Sequence, residues 1–302
     1  MNSKRAVWLV LLIALASATF AQRFGRRGGE GGIYYTEGGV AVDERTVKTA
    51  REIASHSTGT PEWTNSPGFA RDVFTFCRII RDRDPYGSRS SGNWVTDFPD
   101  SDLNLSWRVQ QMTSIKVSPE GRVLRLTDQD LHSYPWIYMV EPGALLLRDE
   151  EVTALRNYLL NGGFFMADDF WGEVQWEGFR RQMKRVFPDR EFVELEMSHQ
   201  IFHCVFDIKQ TKNQMQVPNA RTGARSRETG ITWEYHDGEE CRDVHFRALF
   251  DDQGRMMVFA AHNTDNGDGW EREGEDDYFF HNFSEKISFP LGINVIFYAM
   301  TH

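Results

Sequence analysis

Two adjacent aspartates, Asp168 and Asp169, stand behind a short apolar run, Phe164 to Ala167, and ahead of a helical pattern beginning near Gly172. Adjacent carboxylates at a strand end can hold a cation, orient a water or accept sugar hydroxyls. Against that stands a plainer reading, in which Asp169 caps the following helix and Asp168 is solvated. Asp97 is the third candidate. It lies in a strand-to-helix connection with Asp100 and Asp102. Ser101 or Asp102 is placed to cap a helix running to about Met112, whereas Asp97 falls outside any cap position. Asn263 and Asp265 open an acidic run that ends at Asp277 and is opposed only by Arg272. It lacks the EF-hand spacing and reads as a solvated face, with Trp270 packing the loop down or lining a pocket. His199 and His203 have the spacing of the zinc-protease helix motif, but Gln200 stands where its general base belongs. The residues around them alternate, so the pair reads as one packed and one exposed histidine. The candidate ligand-binding set is Asp97, Asp168, Asp169, Trp171, His199, His203, Asn263 and Asp265. No catalytic residue is assigned. No cofactor is predicted, a divalent cation being the one these acids can hold.

The absences narrow the chemistry. There is no Gly-x-Ser-x-Gly or Gly-x-Cys-x-Gly elbow, no phosphate loop and no dinucleotide fingerprint. Cys77, Cys204 and Cys241 are too few for a disulfide framework, and Cys77 and Cys204 sit in apolar runs as small hydrophobes.

The elements that must position the acids alternate. Val73 to Ile80, Val123 to Leu126, Tyr134 to Val140 and Phe164 to Ala167 read as strands. Helical patterns follow Ser101, Asp149 and Gly172, with Asn161-Gly162 stopping the second and Pro188 ending the third. Short connections between them argue for a parallel sheet with helices on both faces. Ile33 to Tyr35 reads as a short strand, and Asp43 as the cap of a helix carrying Val47, Ala50 and Ile53. Extra late strands are expected at Phe192 to Leu195, His203 to Ile208, Ile231 to Tyr235, Asp243 to Phe250 and Arg255 to Ala261. Gln210 to Glu228 reads as a polar loop. Pro290 opens a buried final helix, Leu291 to Met300.

The chain has 302 residues, 40% of them hydrophobic, with 22 Phe and nine Trp, enough for one substantial core. Lys4 and Arg5, the apolar stretch Ala6 to Ala16 and Thr19-Phe20-Ala21 read as a cleaved signal peptide over 1–21. A linker and extension over 22–70 and an α/β domain over 71–302 follow. The expected location is exported, periplasmic or secreted, without a stable membrane anchor after cleavage. The net charge of −10 becomes −12 once Lys4 and Arg5 are removed, which argues against nucleic acid as a partner.

Several motifs in order carry a resemblance. They are Trp94-x-Thr96-Asp97-Phe98-Pro99-x-x-Asp102, Gly162-Gly163-Phe164-Phe165, Asp168-Asp169-Phe170-x-Gly172, His199-x-Ile201-Phe202-His203 and Asn263-x-Asp265-x-Gly267-Asp268-x-Trp270-Glu271. From about Val73 to His302 the chain resembles the domain of unknown function 4159 family. The resemblance implies a class I glutamine amidotransferase-like, flavodoxin-like sheet and assigns no activity. Because no Cys occupies an elbow, amidotransferase chemistry does not carry over.

Two functions fit these observations. One is an exported binding or scaffold domain with an acidic pocket at the strand ends, for which a carbohydrate or cell-envelope component is a suitable ligand. The other is a carboxylate- or divalent-metal-dependent hydrolase acting on such a substrate. Convergence of Asp97 with the Asp168–Asp169 pair would favour the second, and carboxylates capping separate helices the first. A protein-interaction role for the acidic 265–277 run is a third, less specific reading.

Overall fold

The computed structural model describes residues 32–69 and 72–302. The expected signal peptide and the start of the linker lie outside the described residues. The strands in chain order are β1 (Ile33–Tyr35), β2 (Ala41–Asp43), β3 (Cys77–Ile79), β4 (Asp82–Arg83), β5 (Arg122–Leu124) and β6 (Trp136–Val140). They continue with β7 (Leu145–Leu146), β8 (Phe164–Asp168), β9 (Val193–Glu194), β10 (His245–Phe250) and β11 (Met256–His262). The main helices are α1 (Asp100–Met112), α2 (Asp149–Leu160), α3 (Gly172–Val186), α4 (Ala220–Thr229), α5 (Asn266–Glu271) and α6 (Phe289–Thr301).

Seven strands form one sheet in the order β5-β3-β6-β8-β11-β10-β9. The first five run parallel, and β10 is antiparallel to both β11 and β9. Period-2 alternation sorts the side chains. Trp136, Tyr138 and Val140 of β6 join one core with Leu105 and Val109 of α1 and Ile293 and Ile296 of α6. Ile137 and Met139 face the other way, into a core with Leu155 and Leu159 of α2 and Phe179 and Met183 of α3. α1, α2, α3 and α6 each turn apolar side chains at helical spacing to the sheet, so the central parallel strands are covered on both faces.

Five expectations need correction. Residues 203–208 and 231–235 form no strand: the first run turns against the last helix, where the Asn294 side chain accepts from Val205 N and Phe206 N, and the second is turn and bend. The polar stretch 210–228 holds most of α4, capped by the Asn219 side chain accepting from Thr222 N and ended by Gly230 at φ 67. Asp43 ends β2 instead of capping a helix, and only a 3₁₀ turn, Ala50–Glu52, follows it. α6 continues a helical stretch that already includes a π segment, Phe280–Ser288.

The segment before β3 packs onto the domain. Val42, Val47 and Ala50 form a third core with Ile80, Trp94, Phe98 and Leu103. Polar ties reinforce it. His56 bridges Asp100 on α1 (3.0 Å) and Glu271 on α5 (2.9 Å), and Arg51 donates to the carbonyls of Pro119 and Thr60.

Candidate functional site

The carboxyl ends of the parallel strands carry an unusual backbone. Glu141 follows β6, Asp169 follows β8 and Asn263 follows β11, with φ of 48°, 56° and 61°. Asp97, in the connection leading to α1, has φ 62°. Left-handed backbone costs a non-glycine residue about 1–3 kcal/mol and is best tolerated by Asn and Asp. Four such residues at one sheet edge mark the place where ligands bind in open α/β folds.

Three of the acids converge there. One carboxylate oxygen each from Asp97, Asp169 and Asp265 lies within 4.8 Å of the other two, and all three residues are buried. The Trp171 indole N–H donates to Asp169 Oδ1 (2.8 Å), and Asp265 Oδ1 accepts from Asp268 N (2.8 Å). Asp97 Oδ2 is buried with no hydrogen-bond partner. Among the described residues no Lys, Arg or His forms an ion pair with any of the three. Burial, reinforced by the neighbouring carboxylates, pushes all three carboxyls well above the usual carboxylate range.

Two neighbouring groupings, Asp97–Asp268–Glu271 and Glu37–His56–Glu271, are equally compact. Protein cations already pair with Glu271 and Asp268 in these groupings. Arg272 Nε lies 2.8 Å from Glu271 Oε2 and 3.3 Å from Asp268 Oδ1, and His56 Nε2 lies 2.9 Å from Glu271 Oε1. Burial opposes a charged imidazole, but hydrogen bonds to Asp100 and Glu271 hold the His56 pKa up to about 10. The Asp97–Asp169–Asp265 grouping alone lacks a countercharge. Three carboxylate oxygens so placed are the donor type that a hard divalent cation, Ca²⁺ or Mg²⁺, takes.

The remaining candidates play other parts. Asp168 accepts from Tyr138 Oη, Asn266 N, Asn266 Nδ2 and Gly267 N, at 2.8–3.2 Å, so it caps the first turn of α5 from inside the core. Burial lifts its pKa to about 7 against the pull of those donors. Trp171 orients Asp169. Asn263 Oδ1 accepts from Gly172 N while its amide donates to the carbonyls of Glu240 and Asp243, so it fixes the loop behind β8. Buried His262, its pKa pushed down to about 3 by burial and Arg247, accepts from Arg247 Nη1 and therefore donates from Nε2 to Gly172 O. His199 and His203 are not brought to the acids. His199 packs on Phe250 and Tyr298, beside the amino ends of β11 and β8, at the opposite edge of the sheet. His203 is held by Asp207 and the Met197 carbonyl.

Sequence reasoning passed over two features. The acidic 265–277 run is not a solvated face throughout, since Asp265, Asp268 and Glu271 are buried with α5. Trp270, fully buried with its indole donating to Ser288 O, draws that helix inward and was the available signal. Glu141 was also missed, because nothing local to Glu141-Pro142-Gly143 distinguishes it from a turn. The cysteines are free, and burial with nearby Asp237 and Glu240 pushes the Cys241 thiol up to about 12, leaving it unreactive.

No curated protein matches the chain. The family model described as "Domain of unknown function (DUF4159)" matches residues 83–300, taking in Asp97, Asp169 and Asp265 together with the strand ends that present them. The chain therefore belongs to the DUF4159 family.

Proposed function

We propose that this domain binds one hard divalent cation through Asp97, Asp169 and Asp265, at the carboxyl edge of its parallel sheet. The observation that carries the reading is three buried carboxylates within 4.8 Å of one another without a protein countercharge. Buried charges in proteins are paired or bind metal, since the isolated charge is too costly. Three protein oxygens fill half of an octahedral shell and less than half of a larger Ca²⁺ shell. The rest falls to water or to ligand oxygens. That open half supports the hydrolase alternative, because a cation-bound water is acidified and positioned for attack. The strand order β5-β3-β6-β8-β11 is 2-1-3-4-5 in chain order of the parallel strands, which supports a flavodoxin-like reading of the sheet. The basic, apolar and small-residue pattern of residues 1–21 supports export, and with it a carbohydrate or cell-envelope ligand.

Calorimetric titration with Ca²⁺, Mg²⁺ and Mn²⁺ after EDTA treatment tests the reading. One cation is expected to bind one to one, and Asp169→Asn and Asp265→Asn are each expected to remove the heat. Absence of binding by all three cations to the folded protein refutes it.

A further inference from the structure

A groove of about 310 Å³ lies beside the acid cluster without including it. Its lining includes Asp84, Tyr86, Gly143, Val174, Glu177 and Arg181. Tyr86 is 96% exposed and Val174 71%, the two highest values among the exposed large apolar side chains of the described residues. Single exposed apolar residues are ordinary. Both extremes flanking one groove are not, because each gains by being covered. Two glycines line it, and a Cβ added at Gly178 would stand 2.3 Å from Gly143 O, so the two backbone segments touch with no side chain between them.

The rim is polar and of mixed charge. Asp84 and Glu177 accept and Arg181 donates, and the Arg181–Asp84 pair is long at 3.8 Å, leaving hydrogen-bonding capacity on both sides. Glu177 is tied to Arg180 along α3 at 3.0 Å and holds its carboxylate at the rim. An aromatic ring, an aliphatic side chain and bidirectional polar groups around one groove match a sugar, which has an apolar C–H face and a ring of hydroxyls. An extended peptide fits less well, because the walls are a loop, a 3₁₀ turn and a helix, with β7 already paired to β4.

We infer that this groove binds a neutral oligosaccharide. The groove also communicates with the acid cluster. Gln175, whose side chain abuts Gly143, donates to Ser90 Oγ (3.0 Å) and accepts from Trp171 N (3.2 Å), and the Trp171 indole holds Asp169. A sugar seated here lies one side chain from the residues that orient Asp169. Occupancy of the groove does not depend on the cation.

The test is calorimetric titration of the protein with chitohexaose, cellohexaose and maltohexaose, each in EDTA and in Ca²⁺, with an unstructured Gly/Ser peptide as control. Tyr86→Ala and Glu177→Gln are compared with wild type, and an unchanged melting temperature verifies folding. One hexasaccharide is expected to bind in EDTA, with affinity weakened about tenfold by Tyr86→Ala. Failure of all three sugars to bind overturns the inference. So does binding that survives Tyr86→Ala unchanged, or preference for the peptide. Binding seen only in Ca²⁺ and lost in Asp169→Asn also overturns it, by moving the sugar to the acid cluster.

Discussion

Replacing Asp97 by Asn should raise stability in chelator and remove most of the stabilisation that cation gives wild type. Asn keeps the shape and tolerates φ 62° as Asp does, so the perturbation is the charge. At 4.8 Å and an effective dielectric of about 20, each ionised pair repels by about 3.5 kcal/mol, and Asp97 takes part in two such pairs. Protonation limits this cost. Holding a proton at pH 7 on a carboxyl whose ordinary pKa is 3.8 costs about 4 kcal/mol. In EDTA the variant should therefore be more stable than wild type, by roughly 2–4 kcal/mol. With cation at a hundred times its dissociation constant, wild type gains about 2.7 kcal/mol. The variant, having lost a charged ligand, gains little. Urea unfolding in EDTA and in saturating Ca²⁺ or Mg²⁺ reads both effects. A variant less stable than wild type in EDTA, and shifted by cation as wild type is, would refute the reasoning.

His56 ties the N-terminal segment to α1 and α5 as an imidazolium. Its folded pKa of about 10 exceeds the ordinary 6.5, so its contribution is complete below pH 6.5 and is lost as pH rises through about 10. Wild type should lose melting temperature between pH 7 and 10 faster than His56→Gln, and parallel profiles would show that the bridge contributes nothing. Arg78 is fully buried, its Nε 3.0 Å from both Asp102 oxygens and its Nη1 donating to the Trp94 and Thr96 carbonyls. Arg78→Met should cost about 3–5 kcal/mol in urea unfolding, because it strands a buried carboxylate. Adding Asp102→Leu should recover part of that loss, and a single-mutant cost below about 1 kcal/mol would remove the pair from the core.

Much of the sheet was legible because its signals are local. Tyr134 to Val140 and Phe164 to Ala167 are continuous apolar runs, as doubly covered parallel strands must be, and β6 and β8 fall within a residue or two of them. α4 was not legible by period, since Ala-Arg-Thr-Gly-Ala-Arg-Ser-Arg-Glu-Thr has almost no apolar stripe. Its capping Asn219 and terminal Gly230 were visible and would have bounded it. Asp97 stood out because it fits no cap. Asp102 was misread as a cap, because its partner Arg78 lies 24 residues earlier on another element. Convergence of Asp97, Asp169 and Asp265 depends on strand order, which no local window contains.

β3 lies between β5 and β6, yet it precedes residue 83, where the family match begins. The recurrent sequence unit is thus shorter than the folding unit. A fragment cut at the family boundary would leave β5 and β6 with two facing, unsatisfied backbone edges in the middle of the sheet, and Asp102 without its guanidinium. Such edges recruit strands from other chains. Poor solubility of that fragment would reflect a missing interior strand instead of an intrinsically unstable domain.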